Sequence, residues 1–251
     1  MKVLDKGFIE LSDRMGTDQS ILKAARVSFA NEDKRYTAED DERLIDYLIR
    51  NQHTSPFEMA QLVFYVKAPI FVARQWMRHR TGSYNEWSGR YTELPQEFYE
   101  PEAWYKQGTA KQGRSEEKYF ADESNYESSC ILSFLTYQKK VNEGVAKEMA
   151  RMVLPLSTYT VFYFGVDLHN LLRFLALRLH PHAQKEIRDY AKAILDIIEP
   201  LYPLTIKAWK KWVLNAATLT KSEIEHLTGQ QLLTDKRDIR ILADKLNELR
   251  G

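Results

Sequence analysis

The sequence is poor in cysteine and has almost no excess charge. Cys130 is the single cysteine among 251 residues, so no disulfide can form within the chain. A lone cysteine is typical of a protein from a reducing compartment. With 36 Lys and Arg against 35 Asp and Glu, the net charge is +1, which argues against a general nucleic-acid-binding protein. No apolar run approaches the roughly 20 residues of a membrane helix, and the charged N-terminus lacks a signal-peptide core. We therefore expect a soluble, cytoplasmic protein.

Several common catalytic motifs are also missing. The sequence has no Walker phosphate loop and no GxGxxG after a predicted strand. It has no GxSxG elbow, so Ser83 and Ser88 are not expected to act as nucleophiles. Five histidines follow no HExxH or Cys/His pattern, and we predict no metal site. They are His53, His79, His169, His180 and His182.

A dense group of hydrogen-bonding residues occupies positions 78–91, RHRTGSYNEWSGRY, which we call the signature segment. Three arginines and one histidine lie among hydroxyl and amide side chains, and guanidinium groups pair bidentately with phosphate. Gly82 and Gly89 are expected to let backbone N–H groups approach a ligand. The segment therefore predicts an anion site. The alternative is a helix over residues 69–79 whose terminal cations only complement the helix dipole.

Hydrophobic periodicity predicts a mixture of strands and helices. Strands are predicted over residues 1–11, 61–67 and 157–166. Helices are predicted over residues 18–29, 42–51, 69–79, 122–142, 146–154, 167–178, 182–198 and within 221–251. Residues 31–41 and 95–115 are predicted as loops, the second long enough to form a lid.

Four further features have both a structural and a functional interpretation. Cys130 lies on the apolar face of the helix predicted over residues 122–142, where cysteine behaves as a small buried hydrophobe. Arg178, like Arg173, lies within an apolar helix and needs a partner, such as Glu186 in a salt bridge or a bound ligand. The polar groups of residues 53–58 either line a pocket or are simply solvated. Ser28 is predicted to lie at the end of a helix.

The signature segment matches every fixed position of RHRxxSxNxxSxRY, and on these residues the chain resembles the flavin-dependent thymidylate synthases. The resemblance extends through ARVSF, HTSPFE, VKAPIFVARQWMRHR, ARMVLP and DLHNLLRFLALRLHPHAQKEIR, and covers roughly residues 1 to 210. It implies an α+β fold with a central antiparallel sheet flanked by helices. We expect a single domain over residues 1–215 and a charged helical extension over residues 216–251. It also implies a homotetramer with active sites at subunit interfaces.

The resemblance implies conversion of dUMP to dTMP without a cysteine nucleophile. The methylene group would come from 5,10-methylenetetrahydrofolate and the hydride from NADPH through FAD. Arg178 would be catalytic. The residues implied for dUMP are Gln75, Arg78, Glu86, Trp87, Ser88, Gly89, Arg90, Arg151 and Arg178. Those implied for FAD are Ser28, His53, Ser55, Glu58, Arg78, His79, Arg80, Glu86, Asp167, His169, Arg173 and His182.

This sequence departs from the family pattern at Asp167, His169 and Arg173, where some members carry other residues. Two functions other than an enzyme are also compatible with the sequence. The arginines and aromatic residues suit a nucleotide-binding or RNA-binding module, and a structural scaffold is the third hypothesis. An enzyme with bound flavin purifies yellow, which separates the first hypothesis from the others.

Overall fold

The structure is a computed structural model that describes residues 1–29, 35–108, 113–119 and 123–249. The strands are β1 Lys2–Val3, β2 Gly7–Met15, β3 Gln61–Pro69, β4 Ser83–Glu86, β5 Trp104–Gln107, β6 Arg114–Tyr119 and β7 Tyr159–Asp167. The helices are α1 Asp18–Arg26, α2 Ala38–Arg50, α3 Ile70–Trp76, α4 Glu123–Asn142, α5 Lys147–Ala150, α6 Leu168–Arg178, α7 Lys185–Ile198, α8 Pro203–Trp209, α9 Lys221–Leu227 and α10 Lys236–Glu248. Short 3₁₀ turns cover Val27–Phe29, Ser55–Met59 and Arg151–Val153, and a π-helical turn covers Lys210–Leu214.

Alternating apolar residues build the central sheet. Its five strands run in the order β1-β2-β3-β7-β4, and all neighbours are antiparallel. Strand β3 pairs with β7 over its whole length, and every second residue of β3 from Leu62 to Ala68 is fully buried. The predicted α+β class with an antiparallel sheet is confirmed.

One face of the sheet is covered by a cluster of aromatic rings. Trp76 of α3 lies edge-on to Phe162 and Phe164 of β7, with ring centroids 5.5 and 5.6 Å apart. Phe174 of α6 lies 5.0 Å from the same indole. All four side chains are buried. This packing holds the ends of α3 and α6 close together.

Local capping explains where several helices begin. Thr17 forms a capping box with Ser20 at the start of α1. The carboxylate of Asp167 accepts a hydrogen bond from the Asn170 N–H at 2.8 Å, which makes Asp167 the N-cap of α6. Such caps satisfy N–H groups that have no partner inside the helix.

Helix α2 begins four residues earlier than predicted. Its first turn contains three acidic residues from the stretch predicted as a loop. Thr37 and Asp40 form a capping box, and acidic groups near a helix N-terminus interact favourably with its dipole. The acidic residues of this stretch therefore belong to a helix start and not to a loop. Residues 31–34 of the predicted loop lie outside the described residues.

The polar stretch over residues 95–115 is not simply a loop. Strand β5 and the start of β6 lie within it and pair as a two-stranded antiparallel sheet. The Arg114 guanidinium lies over the Tyr105 ring at 3.9 Å, and Lys106 pairs with Glu117 at 2.5 Å. Cross-strand pairs of this kind stabilise a hairpin despite low hydrophobicity.

The chain divides into two compact units. The first, Met1–Glu32 with Thr54–Leu201, contains both sheets. The second, Asp33–His53 with Tyr202–Gly251, is helical; within it Trp212 donates to Asp46 at 2.7 Å and Lys245 pairs with Glu223 at 2.8 Å. The boundary at residue 215 stays a prediction. Across the described ranges, no helix meets the length and apolarity that a membrane span requires.

Candidate active site

Helix α3 ends at Trp76, so Arg78 and His79 lie beyond the helix. The helix predicted through residue 79 is therefore too long. The hydroxyl of Tyr84 accounts for this end, since it donates to the carbonyl oxygens of Trp76 and His79 at 3.2 and 2.9 Å. Arg78 directly follows the C-cap Met77, so the interpretation of these cations as partners of the helix dipole stays an alternative.

Arg178 forms the centre of one group of predicted site residues. Its Nε donates to His79 Nε2 at 2.9 Å, and its Nη2 donates to the Gln75 carbonyl at 3.1 Å. Among the described residues no ion pair joins Arg178 to Glu186, whose carboxylate accepts from the Tyr99 hydroxyl at 3.3 Å. Among the described residues Nη1 of Arg178 has no hydrogen-bond partner, so its donors are available to a ligand.

The environment of this group keeps His79 neutral. Burial, followed by the positive charges of Arg178 and Arg173, lowers the pKa of His79 to about 4. Burial also lowers the pKa of Arg178, although arginine stays protonated at neutral pH. A neutral imidazole that accepts at Nε2 carries its proton on Nδ1. The pair is therefore a guanidinium cation bonded to an uncharged histidine.

The Gln75 side chain faces a large cleft. A volume of about 1390 Å³ lies between the β5–β6 hairpin, Arg178 and residues 181–188. The Gln75 amide donates to Gln184 at the start of α7. His182 also lines this cleft, and its ring lies 4.8 Å from that of His180. The structure thus brings Gln75, Arg178 and His182 to one cavity.

Strand β4 orders the middle of the signature segment. Glu86 accepts a hydrogen bond from Thr160 Oγ1 of β7 at 2.8 Å, and the Trp87 N–H donates to the Val161 carbonyl at 2.9 Å. These two bonds fix the end of β4 against β7.

Gly82, just before β4, is required by packing. An added Cβ would lie 2.4 Å from Phe164 Cε2. The Gly82 N–H donates to the His79 carbonyl at 3.2 Å. The N–H of Gly82 itself is therefore bonded within the chain, and the expectation that Gly82 lets backbone N–H groups approach a ligand stays a prediction.

A second group forms where the signature segment meets α5. Arg90 Nε lies 3.3 Å from a carboxylate oxygen of Glu148. A Cβ at Gly89 would lie 3.4 Å from Arg151 Cδ, so these two residues are in contact. Gly89 is buried, and its other near neighbour is the Leu94 side chain. The hydroxyl of Ser88, also in this segment, accepts from the Arg90 N–H at 3.3 Å.

Four arginines are left without an acidic partner among the described residues. Their side chains are exposed and make no hydrogen bond or ion pair within the described ranges. Exposed guanidinium groups without acidic partners favour an anionic ligand. These residues are Arg78, Arg80, Arg151 and Arg173.

A third group surrounds the 3₁₀ turn Ser55–Met59. This turn packs against both α1 and α6, and the Leu168 N–H donates to the Ala60 carbonyl at 2.9 Å. Ser55 is exposed and Glu58 is partly buried. Both carboxylate oxygens of Asp167 bond to Asn170, at 2.8 and 2.7 Å. The position of Asp167 is therefore already explained by capping.

Three predicted flavin residues lie apart from the hydrogen-bonded groups above. Ser28 is exposed in the 3₁₀ turn that follows α1. His169 is partly buried in the first turn of α6. His53 belongs to the second unit, where its ring lies 5.5 Å from that of Tyr47.

Cys130 occupies the apolar core beside α4. Its side chain is 3% exposed and packs with Phe98, Phe134, Tyr137 and Ala150. Its Sγ lies 3.7 Å from Ser157 Oγ. The predicted burial of this thiol is confirmed. In the part of the chain that the structure describes, no three His, Cys, Asp or Glu side chains cluster as metal ligands would.

Three parts of the site were not predicted from the sequence: Gln184, Tyr84 and the β5–β6 hairpin. Gln184 lies directly before α7, within residues 167–188 that carry the family resemblance, and this position was the available signal. The contacts of Tyr84 with the end of α3 require tertiary structure. The hairpin gave no periodic signal because its stability comes from cross-strand pairs.

Comparisons with known proteins identify a matching family, similar sequences and a similar solved structure. Residues 10–204 match the family described as thymidylate synthase complementing protein. A flavin-dependent thymidylate synthase from Thermus thermophilus is 51% identical over 229 residues, covering 90% of this chain and 84% of that protein. One from Treponema denticola is 46% identical over 232 residues, covering 89% and 86%. The fold is similar to a crystal structure of the UMP/dUMP methylase PolB from Streptomyces cacaoi bound with 5-Br dUMP. That similarity has a TM-score of 0.77 and 35% identity, and covers 85% of this chain and 99% of the other.

Proposed function

Because the chain belongs to the flavin-dependent thymidylate synthase family, we propose that it converts dUMP to dTMP. The methylene group comes from 5,10-methylenetetrahydrofolate and the hydride from NADPH through bound FAD. The observation that carries the proposal is the contact of Arg178 with His79 and Gln75 at the edge of a large cleft. It joins the signature segment to α6, two parts of the sequence that carry the family resemblance.

Arg178 is proposed as the catalytic residue. The Gln75 carbonyl and neutral His79 hold two of its nitrogens, so the guanidinium is oriented before a ligand arrives. Its remaining donors would stabilise negative charge on the uracil ring and make the ring a better nucleophile. A pre-oriented donor of this kind needs little reorganisation during the reaction.

The rest of the proposed dUMP site uses the second group of residues. Arg151 and Arg90 would pair with the phosphate, with Gly89 allowing their close approach. Gln75 would bind the base through its amide. The other proposed dUMP residues are Arg78, Glu86, Trp87 and Ser88.

The residues present fit an anionic dinucleotide such as FAD. Arg78, Arg80 and Arg173 are exposed and have no acidic partner in the described ranges, so they suit a diphosphate. When bound, FAD would relay the hydride between NADPH and the reacting methylene group. His79 would contact it as a neutral hydrogen-bonding group. The other proposed contacts are Ser28, His53, Ser55, Glu58, Glu86, Asp167, His169 and His182.

The proposed reaction uses no cysteine nucleophile. Cys130 is the only thiol and is buried in an apolar cluster. A reactive cysteine needs a thiolate stabilised by a nearby cation, a helix N-terminus or a metal. Apart from the Ser157 hydroxyl, the groups around Cys130 are aromatic and aliphatic, which supports a route through the cofactor instead.

An anaerobic assay tests the proposed function. The purified protein is first examined for bound FAD by acid release and chromatography. NADPH is then added to reduce the flavin, followed by dUMP and methylenetetrahydrofolate, and dTMP is measured. UMP is supplied in place of dUMP in a parallel reaction. We expect dTMP to form only when all components are present, and a colourless protein that takes up no FAD would contradict the proposal.

A further inference from the structure

Tyr84 is a half-buried residue of β4 that the proposed dUMP and FAD sites do not use. Its ring stacks on that of Phe164, with the ring centroids 5.3 Å apart and the planes at 17°. Phe164 is buried and lies opposite Tyr84 on β7. Burial raises the pKa of Tyr84 to about 12, so the hydroxyl keeps its proton at neutral pH. The stacked ring therefore holds a neutral donor in a fixed place.

The hydroxyl of Tyr84 is directed at the turn that follows α3. It lies 3.2 Å from the Trp76 carbonyl oxygen and 2.9 Å from the His79 carbonyl oxygen. A tyrosine hydroxyl has one proton, which these two acceptors share. The His79 N–H donates to the same Trp76 carbonyl at 3.0 Å, which closes the turn over residues 76–79. One hydroxyl thus links both ends of this turn to the central sheet.

The same turn carries the acceptors that hold Arg178. The Gln75 carbonyl, one residue before the turn, accepts from Nη2 at 3.1 Å, and the His79 ring at its end accepts from Nε at 2.9 Å. Arg178 itself belongs to α6, which continues directly from β7. Because β4 pairs with β7, the Tyr84 hydroxyl fixes these acceptors relative to the strand that leads into α6. A shift of the turn would move both acceptors away from the guanidinium.

We propose that Tyr84 is a positioning residue, which sets the direction of the Arg178 guanidinium through the turn of residues 76–79. This inference rests on the proposed function, because it assumes that Arg178 acts on the uracil ring. Both hydrogen bonds of the Tyr84 hydroxyl are made within the protein, so Tyr84 acts through Arg178 and not on the ligand. The free donors of Arg178 stabilise the reacting ring only if they are aimed at the place where negative charge develops.

A purely stabilising role is the alternative, and the hydrogen bonds of the turn argue against it. Without the Tyr84 hydroxyl, the Trp76 carbonyl still accepts from the His79 N–H, and the His79 carbonyl still accepts from the Gly82 N–H at 3.2 Å. Neither carbonyl is left unsatisfied, which is the costly part of losing a buried hydrogen bond. Tyr84→Phe also keeps the stacked ring. We therefore expect its Tm to fall by no more than about 4 °C, the shift for one hydrogen bond in a chain of this size.

Single-turnover assays with reduced flavin test the role of the hydroxyl. In Tyr84→Phe we expect the rate of dTMP formation to fall by about 10-fold to 100-fold, since a misplacement of about 1 Å can cost about 10² in rate. The Kd of dUMP should change by less than about threefold, because the guanidinium matters most when charge develops on the ring.

The matched control is Tyr163→Phe, which removes a tyrosine hydroxyl from the neighbouring strand β7. Tyr163 is 45% exposed, and its hydroxyl makes no hydrogen bond within the described ranges. The rate of dTMP formation and the Kd of dUMP should therefore both stay at the wild-type level in this variant.

Repeating the substitution in the Arg178→Ala variant shows whether Tyr84 acts through Arg178. If it does, Tyr84→Phe should change the remaining rate by less than about twofold, since two substitutions that remove the same interaction are not additive. A tyrosine that only stabilises the fold would lower the rate by the same factor with and without Arg178, and that result would overturn the inference.

The outcomes also separate this inference from the proposed function. If the wild type forms dTMP and Tyr84→Phe forms it equally fast, the inference is overturned and the proposed function stands. A Tyr84→Phe variant that does not fold, or that loses its flavin, would overturn the inference as well, because the hydroxyl would then be needed for the structure itself. If the wild type forms no dTMP, both are overturned.

Discussion

At the scale of single residues, the arrangement around Arg178 makes the sharpest prediction about activity. Arg178→Ala removes a donor that Gln75 and His79 hold in place. We expect dTMP formation to fall by on the order of 10²–10³, as for other donors aimed at developing negative charge. Single-turnover assays with reduced flavin measure this directly.

The matched control for that substitution is Leu177→Ala. Leu177 precedes Arg178 in α6 and is 63% exposed, so its removal should leave turnover and circular dichroism unchanged. Turnover of Arg178→Ala within a few-fold of the wild type would show that the arginine is structural.

A second prediction at the residue scale concerns His79 and the dependence of protein stability on pH. Its pKa is about 4 in the folded protein and about 6.5 in the unfolded chain. The unfolded chain therefore binds more protons between these values, and the free energy of unfolding falls as the pH drops from about 6.5 to about 4. We expect the Tm of His79→Gln to decrease less than that of the wild type over this range. Equal decreases would mean that His79 titrates normally in the folded protein.

At the scale of secondary-structure elements, Gly82 links the end of α3 to β4. A Cβ there would lie 2.4 Å from the buried ring of Phe164. We expect Gly82→Ala to lower the free energy of unfolding by about 1–3 kcal/mol, the usual cost of overpacking. Chemical denaturation measures it. Gly165→Ala is the control, because its Cβ would meet only Ser83 at 3.8 Å, and similar losses for both variants would contradict the packing argument.

Helix α4 supplies the prediction about Cys130. Cys130→Ala removes one sulfur atom from an apolar cluster, so we expect a stability loss of about 1 kcal/mol, similar to the loss of one methyl group. The dTMP yield should stay at the wild-type level, and alkylating reagents should not inhibit the folded enzyme. Loss of turnover with flavin and dUMP still bound would point instead to a cysteine adduct.

The sequence predicted elements well where their stability comes from apolar periodicity. Strands β3 and β7 and helices α4, α6 and α7 were found close to their observed bounds, since each has a regular buried face. The start of α2 and the β5–β6 hairpin were not found, because a capping box and cross-strand pairs stabilise them. Such interactions leave no periodic pattern.

The candidate site was predictable in its residue types but not in its contacts. The signature segment identified the arginines and His79, yet the bond between Arg178 and His79 joins residues 99 positions apart. The sequence also did not indicate that Gly82 packs against the ring of Phe164. Contacts of this kind depend on how α3, α6 and β7 pack together.

At the scale of the whole molecule, exposed apolar side chains of the first unit support the homotetramer that the family resemblance implies. Leu132 and Leu135 lie three residues apart on the side of α4 opposite Cys130, and they are 66% and 56% exposed. Met149, Met152 and Leu156 are exposed as well. Neighbouring exposed apolar side chains are typical of protein–protein interfaces.

Light scattering coupled to size-exclusion chromatography tests this assembly. We expect a particle of four chains of 29.5 kDa each. The double substitution Leu132→Glu and Leu135→Glu should reduce the mass, because it places charges where the interface would bury apolar side chains. Lys139→Ala changes an exposed polar position of the same helix and should leave the mass unchanged.

Flavin content and activity of the leucine variant test whether the active site lies at the subunit interface. If each active site draws residues from two subunits, dissociation must remove part of the site as well as the interface. Bound FAD and dTMP formation should therefore decrease in proportion to the loss of tetramer in the leucine variant, while circular dichroism stays the same. A dissociated variant that keeps its flavin and its turnover would show that one chain forms a complete site. An intact tetramer would show instead that the exposed face of α4 lies outside the interface.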